Sequence, residues 1–238
     1  MKKIKDLVEK TDRYKDIIIQ KEFASKKNTV AYVTIDGKPR VLKWFVPGLK
    51  KNLENEYKIL MDGKADINIP NVFEKDKENN VLILNYIIGE NLCDIINDQK
   101  TTKKEKERLI ILLAEWYIDF HKHYRNDTTF MIHGDSNLRN FLLTDRIWGV
   151  DFEETRKGRP IEDISRMCAS ILTTDPMFTT EKYDLCQKFI EYYSKNVQWN
   201  LTNVNNEISY ALLERIQWRP SQEEMIRKHS KKIRKKGL

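Results

Sequence analysis

The stretch His133–Glu153 reads HGDSNLRNFLLTDRIWGVDFE, and the interpretation of the whole chain starts from it. Its H-x-D triplet ends at Asp135, Asn140 follows five positions later, and Asp151 opens an Asp-Phe pair eleven residues after that asparagine. Phosphoryl transfer needs a carboxylate that orients the attacking hydroxyl and accepts its proton, and it needs oxygen ligands that hold Mg²⁺ against the phosphates. The spacing predicts that Asp135 is the base and that Asn140 and Asp151 are metal ligands.

Two short apolar runs separate the two predicted ligands and indicate a β-hairpin. The runs are Phe141–Leu143 and Ile147–Val150, joined by the turn Thr144–Arg146. Such a hairpin starts one strand at Asn140 and ends the other at Asp151, so we expect these two residues to lie close together.

These motifs resemble the catalytic loop and the D-F-G element of the protein-kinase-like superfamily. Gly134 replaces the usual arginine, as in aminoglycoside phosphotransferases, lipopolysaccharide kinases, RIO kinases and the small kinase of the tRNA threonylcarbamoylation complex. The alternative is a chance match around a tight turn. Here, however, several motif spacings agree with one another, and the predicted strands lie where the resemblance requires them. The resemblance implies an α+β, two-lobed protein-kinase-like fold. Its N-lobe is a small antiparallel sheet with one main helix, and its C-lobe is mostly helical.

Composition sets the broad class of the protein. A chain of 238 residues with 40% hydrophobic residues has enough material for one large domain or two small lobes. Neither an apolar leader at the N-terminus nor a run long enough to span a bilayer is present in the sequence. The three cysteines occur without a C-x-x-C motif, which predicts neither a zinc site nor a disulfide framework and favours a reducing, cytoplasmic setting.

The first 84 residues match the N-lobe of the resemblance. Lys43 falls at the position of the phosphate-binding lysine, and Glu56 falls at that of the helix glutamate that pairs with it. Glu54, two residues away on the same helix, is expected to point elsewhere. The elements predicted here are a short helix within 1–16, strands over 17–23, 29–35 and 40–45, and a helix over 51–61.

The resemblance also implies an ATP site. The loop Ala24–Asn28 lacks glycine, but Ser25 is small enough to let the backbone approach the phosphates. Val81–Leu84 is predicted as a buried strand, and the stretch Asn85–Leu92 that follows resembles the hinge between kinase lobes, where the backbone of Asn85 and Ile87 would bond the adenine edge. The alternative for that stretch is an ordinary strand and turn before a helix. ATP and Mg²⁺ are the expected cofactors, and the absence of a G-x-x-x-x-G-K motif excludes a Walker-type site.

The segment after the hairpin resembles the aminoglycoside-phosphotransferase pattern D-W-E-x-A-x-x-G-D-P-x-x-D-L. Arg159 departs from it, whereas Asp163 matches the aspartate that braces the catalytic loop in that family. About a dozen residues separate Asp151 from Asp163, which leaves little room for an activation loop. His121 and His123, within a helix predicted over 103–125, are expected to be structural. Further helices are predicted over 161–172, 180–196, 203–218 and 221–236, the last with Ser221 as its N-cap.

The predicted organisation is an N-lobe over 1–84, a hinge over 85–92, a helical C-lobe over 93–224 and a basic tail over 225–238. The tail contains seven Lys or Arg and no acid, so it carries the whole formal net charge of +7. One interpretation is a solvated terminal helix, which is the usual meaning of a charge run. The other, which we favour, is an anion-binding element whose partner is RNA, an anionic lipid surface or an acidic protein.

The sequence therefore predicts an ATP- and Mg²⁺-dependent kinase that moves the γ-phosphate of ATP to a hydroxyl acceptor. The short segment before Asp163 favours a small molecule or a glycan as acceptor. An atypical Ser/Thr protein kinase, an ATPase or an RNA-associated kinase, resembling the kinase of the tRNA-modifying complex, is the alternative. A non-catalytic nucleotide-binding scaffold is a third possibility. A cytoplasmic location is expected, with peripheral association at an anionic surface as an option.

Overall fold

The computed structural model describes residues 4–23, 27–63 and 66–238, and the chain forms two compact units. The first unit consists of Met1–Ala65, Ile69–Ile88 and Asp151–Glu154. The second consists of Asp66–Asn68, Gly89–Val150 and Thr155–Leu238. Within the described residues, none of the helices is both long enough and apolar enough to cross a membrane.

The first unit is built on a five-stranded antiparallel sheet with the strand order β1-β2-β3-β5-β4. Asp36 and Gly37, both with positive φ, join β2 to β3 in a two-residue turn, which the Asp-Gly sequence favours. The predicted strands and helices of this region are confirmed. The elements are α1 (Ile4–Lys10), β1 (Ile18–Phe23), β2 (Thr29–Ile35), β3 (Lys38–Trp44), α2 (Lys50–Gly63), β4 (Val72–Asp76) and β5 (Val81–Asn85).

The core of the first unit lies between α1 and one face of this sheet. Ile4 and Leu7 of α1 pack with Ala31, Val33 and Leu42, all of them buried. Alternate residues of β2 point to this core, as a half-buried strand requires. Each buried aliphatic side chain of this size contributes roughly 1.5–3 kcal/mol to the stability of the fold. The packing of the amphipathic α1 therefore stabilises one face of the sheet.

The second unit is mostly helical, with two three-stranded sheets ordered β10-β9-β6 and β11-β8-β7. Its central helix, α4, begins where the Thr102 side chain accepts a hydrogen bond from the Glu105 N–H (3.2 Å). The elements are β6 (Glu90–Asn91), α3 (Leu92–Asn97), α4 (Lys103–His123), β7 (Arg125–Asn126), β8 (Thr129–Ile132), β9 (Phe141–Leu143), β10 (Ile147–Gly149), β11 (Arg156–Gly158), α5 (Pro160–Thr173), α6 (Thr180–Lys195), α7 (Val204–Glu214) and α8 (Glu223–Lys236).

The predicted hairpin is present as β9 and β10, which pair antiparallel. The Val150 N–H donates to the Asn140 carbonyl at 2.9 Å, so the hairpin continues one residue beyond the strands. Gly149 lies against the indole ring of Trp116 on α4, and a Cβ at this position would overlap that ring. The glycine therefore lets the hairpin lie directly on the central helix.

The prediction that Ser221 caps the last helix is wrong. Pro220–Gln222 forms a 3₁₀ turn, and α8 begins at Glu223 with Gln222 at the N-cap position. Proline, with its fixed φ, is well suited to start such a turn. The Arg219 guanidinium also holds the turn by donating to Oε1 of Gln222 at 3.0 Å. The helix therefore starts later than the serine suggests.

Candidate active site

Lys43 lies near the end of β3, and only 5% of its surface is exposed. Its ammonium lies 2.6 Å from Oε2 of Glu56 on α2, 2.5 Å from Oδ1 of Asp151 and 3.0 Å from Oε2 of Glu153. The predicted pair between Lys43 and Glu56 is therefore present. Two further carboxylates share the same ammonium, so three acids surround one base.

Burial and charge act in opposite directions in this cluster. Burial is the largest influence on Lys43 and lowers its pKa, but the three carboxylates, led by Glu56, together raise that pKa above its ordinary value. Burial raises the pKa of Glu56 to about 7, although the charge of Lys43 opposes the shift. Burial likewise raises the pKa of Glu153. The lysine is thus charged, while the surrounding carboxylates hold more negative charge than one ammonium balances.

The segment Asp151–Glu154 is held in the first unit by hydrogen bonds along its backbone. The side-chain amide of Asn55 donates to the carbonyls of Phe152 (3.4 Å) and Glu153 (3.2 Å). The Phe152 N–H donates to Oε1 of Glu56 at 3.4 Å. Asp151 has φ +67°, a left-handed conformation that non-glycine residues adopt rarely and that recurs at functional sites. Its carboxylate is partly exposed, so a ligand can reach it.

Glu153 and Asn28 belong to this cluster, and the sequence interpretation missed both. The Asn28 amide donates to the Glu153 carboxylate, which in turn faces the lysine. The sequence signal for Glu153 was its position two residues after Asp151, because two acids at this spacing can face the same ammonium. Glu54 points away from the cluster and contacts Lys75 at 2.6 Å, as its register predicted.

Asp135 lies on an exposed loop of the second unit, together with Asn140. The Asn140 side-chain Nδ2 donates to the Asp135 carbonyl at 2.9 Å and to Oδ2 of its carboxylate at 3.0 Å. Asn140 ends a 3₁₀ turn over Leu138–Asn140, immediately before β9. These bonds use the amide nitrogen, which leaves the amide oxygen as a suitable ligand for a hard cation.

Asp163, at the start of α5, fixes the backbone of that loop from inside. It is fully buried, and it accepts hydrogen bonds from the N–H groups of His133 (2.7 Å) and Gly134 (3.1 Å). It also accepts from the Ser136 hydroxyl (2.7 Å) and contacts Nε2 of His121 (3.0 Å). Burial alone would raise the pKa of Asp163, but the His121 bond, nearby charge and the other donors lower it below its ordinary value. An ionised, fully bonded carboxylate therefore holds the loop, as the resemblance implied.

The remaining predicted nucleotide contacts are only partly described. Ser25 lies outside the described residues. Asn85 ends β5, where its N–H donates at 3.0 Å to the carbonyl of Asn71, the residue before β4, so this N–H is already used within the chain. Ile87 follows with a buried side chain. The structure therefore brings Lys43 together with Glu56 and Asp151 in one unit, and Asp135 together with Asn140 in the other. Their catalytic and binding roles stay predictions.

Neither a protein-family model nor a curated protein matches the chain. Solved structures do match it. Aminoglycoside phosphotransferase APH(4)-Ia is similar over 99% of this chain and 98% of its own, with a TM-score of 0.68 and 11% identity. The choline kinase LicA from Streptococcus pneumoniae is similar over 96% of this chain and 97% of its own (TM-score 0.63, 13% identity). The structure of the streptomycin-ATP-APH(2")-IIa ternary complex is similar over 92% of this chain and 88% of its own (TM-score 0.61, 16% identity).

Likeness at this level of identity shows the fold. The chain has the protein-kinase-like fold, and the predicted α+β, two-lobed fold class is confirmed. More narrowly, an aminoglycoside phosphotransferase and a choline kinase are among the solved structures that the chain resembles over nearly their whole length.

Proposed function

We propose that this protein is an ATP- and Mg²⁺-dependent phosphotransferase that moves the γ-phosphate of ATP to a hydroxyl acceptor. The observation that carries the proposal is the buried Lys43, held by Glu56 and contacting Asp151 at 2.5 Å. A buried lysine of fixed position, next to a partly exposed aspartate, suits the recognition of phosphates that are bridged by a metal ion. The fold that the chain shares with phosphotransferases supports the same conclusion.

The residues that would hold Mg²⁺ are Asp151 and Asn140, whose carboxylate and amide oxygens are the hard ligands that this ion prefers. When bound, the ion neutralises charge on the phosphate oxygens. Lys43 would contact the phosphates, and Glu56 would keep its ammonium from turning away. Adenine would bond backbone groups of the proposed hinge, residues 85–92.

Asp135 is the proposed base. Its exposed carboxylate accepts the proton of the acceptor hydroxyl, whose oxygen then forms the new bond to the γ-phosphorus while the bond to ADP breaks. The Asn140 amide fixes the orientation of this carboxylate, and Asp163 fixes the loop that carries it. A positioned general base contributes typically about 10²–10⁴-fold in rate.

Three alanine variants test the proposal. We expect Asp135→Ala and Asp151→Ala to lower ATP-dependent phosphate transfer by about 10²-fold or more. Asp145→Ala is the matched control, because Asp145 is an exposed aspartate in the turn of the same hairpin. Labelled ATP and a fractionated cell extract supply the assay. Equal transfer by all four proteins would contradict the assignment, whereas nucleotide binding without any transfer would favour a non-catalytic scaffold.

The proposed acceptor is a small molecule or a glycan. Only Thr155–Arg159 separate the Asp151–Glu154 segment from α5, and three of these residues form β11, which pairs with β8. Little chain is therefore available to dock a peptide. Neighbours named for streptomycin and choline support a small-molecule acceptor here. Label confined to protein or RNA would overturn this part of the proposal and favour a protein kinase or an RNA-associated kinase.

The proposed basic tail, residues 225–238, is an anion-binding element. Ile226 and Ile233 of α8 are buried, whereas the Lys and Arg side chains of this helix are exposed. Removing the tail would therefore damage packing, and Lys228→Gln, Lys231→Gln and Lys235→Gln together are the cleaner change. We expect this triple variant to bind single-stranded RNA more weakly and with a flatter salt dependence, by about 0.7 per lost phosphate contact. An unchanged salt slope would contradict it. The location we propose remains cytoplasmic.

A further inference from the structure

The loop that carries Asp135 is bordered by arginine side chains from α5 and from the turn after α7. Arg166 of α5 donates through Nη1 to the carbonyl of Gly134 at 3.1 Å, one residue before Asp135. The same guanidinium contacts Oε2 of Glu214 at 3.3 Å. Glu214 is the last residue of α7, so this contact places the following residue, Arg215, close to the loop.

Arg215 is the first residue of a 3₁₀ turn that ends at Trp218, and Arg219 is the C-cap residue of that turn. Arg215 is only partly exposed, and within the described residues its guanidinium has no hydrogen-bond or ion-pair partner. Arg219 donates to the neutral side chain of Gln222 at 3.0 Å. Burial lowers the pKa of Arg215 to about 10, and the charge of Arg219 acts in the same direction, while Asp135 opposes them. Arg215 is therefore within electrostatic range of both Arg219 and Asp135.

The positive charge here is not balanced. Around Arg215, Asp135 supplies one negative charge, whereas Arg219 and Arg166 supply positive charge, and among the described residues only Arg166 of these two is paired with a carboxylate, that of Glu214. The neighbouring surface of α5 and α7 behaves differently, because Arg159 is paired there with Glu207 at 2.8 Å and Arg166 with Glu214. An unpaired guanidinium that is partly removed from water costs free energy, which a bound anion would recover.

We propose that Arg215 and Arg219 select an acceptor that carries a phosphate or a carboxylate near the hydroxyl that is phosphorylated. The inference rests on the proposed function, because it takes Asp135 as the base that the acceptor hydroxyl must reach. A guanidinium fork binds both anionic groups through two parallel hydrogen bonds. A cationic acceptor would meet like charge at the same place, so the arginines also exclude it.

Matched pairs of compounds test the inference by binding, independently of turnover. We would titrate the Mg²⁺–ADP-loaded protein by calorimetry with glycerol 3-phosphate against glycerol, with glucuronate against glucose, and with choline. At least one anionic member should bind about tenfold or more tightly than its neutral partner, and choline should not bind. Arg215→Gln with Arg219→Gln should weaken anion binding by about 10- to 100-fold, as expected for lost charge-assisted hydrogen bonds.

Two further variants separate recognition from misfolding. Arg215→Lys keeps the charge without the fork and should retain part of the affinity. Arg108→Gln removes an exposed arginine of α4 that pairs with Glu105, and it should bind like wild type. Equal binding of charged and neutral partners, no binding of either anion, or unchanged affinity in the double variant would each overturn the inference.

The proposed function and this inference fail in different ways. If the wild-type protein transfers phosphate to neutral acceptors with the same kcat/KM as to anionic ones, the kinase assignment stands and the selection by arginine is wrong. If anions bind in an arginine-dependent manner but Asp135→Ala leaves phosphate transfer unchanged, the assignment of the base is wrong and the anion site stands.

Discussion

Glu56 and Asp163 are both almost completely buried carboxylates, yet their pKa values move in opposite directions. Asp163 accepts from two backbone N–H groups and a hydroxyl and also contacts an imidazole, so its charge is well compensated. Glu56 shares the ammonium of Lys43 with Asp151 and Glu153. Burial disfavours both charges, and the number of donors per carboxylate decides which effect wins.

The difference separates a structural carboxylate from one that is ready to respond to a ligand. The bonds of Asp163 are complete within the chain, and they stabilise one conformation of the loop. The cluster around Lys43 has excess negative charge, so a proton or a cation bound there lowers its free energy. If the proposed function holds, the second unit supplies a rigid base, while the charge of the first unit changes when a nucleotide and its metal bind.

The largest effect that tests this comparison is expected from Asp163→Ala. The change removes the acceptor of several buried donors, including the N–H groups of His133 and Gly134. Leaving buried donors and a histidine without their carboxylate should lower the free energy of unfolding by about 3–5 kcal/mol. Urea denaturation measures it, with exposed Asp145→Ala as control. A loss below about 1 kcal/mol would show that water replaces the carboxylate and that the loop does not depend on it.

A smaller effect is expected from Lys43→Met, which leaves Glu56, Asp151 and Glu153 without their shared cation. The free energy of unfolding should fall by about 2–4 kcal/mol at pH 8. At pH 5 the loss should be smaller, because Glu56, with a pKa of about 7, is then mostly protonated and depends less on the charge of Lys43. Adding Glu56→Gln to this variant should recover part of the stability. If the double variant is less stable than the single one, the carboxylates do not repel each other as the geometry indicates.

Several features of both regions were predictable because they depend on local sequence. Helical register favoured Glu56 over Glu54 once the resemblance had implied a glutamate that pairs with Lys43, and the hairpin after Asn140 followed from two apolar runs around a turn. The role of Asp163 came from the resemblance, since no local pattern shows that a residue accepts hydrogen bonds from a loop some thirty positions earlier. The fold class was likewise predictable from local sequence patterns together with the family resemblance.

The features that were missed depend on contacts distant in sequence or on competing local choices. Asn28 reaches Glu153 from 125 positions away, and only the folded chain brings them together. Ser221 was predicted as the N-cap, but it lies inside a 3₁₀ turn that starts at Pro220, and the helix begins only after this turn. The place of Arg215 depends on where α7 ends, and the limits of a helix are its least predictable feature.

The smallest expected effect concerns the pH dependence of stability. The folded-state pKa of Glu56 is about 7, above its ordinary value of 4.5, so the folded protein holds a proton that the unfolded chain releases. The stability that this proton confers is fully present below pH 4.5 and is lost as the pH rises through 7. The free energy of unfolding should therefore decrease across this window, and Glu56→Gln should remove the decrease. Glu153→Gln should move its midpoint to lower pH, because the negative charge of Glu153 helps to raise the pKa of Glu56.

Glu154→Gln is the control for this change of midpoint, because Glu154 follows Glu153 directly and its side chain pairs with Lys27. Denaturant unfolding between pH 4.5 and 8 measures all four proteins, and the midpoints should agree for wild type and Glu154→Gln. Moving the midpoint by one pH unit changes the free energy of unfolding by about 1.4 kcal/mol, so a movement of about half as much is measurable. A midpoint that Glu153→Gln leaves unchanged would mean that the charge of Glu153 does not help to raise the pKa of Glu56.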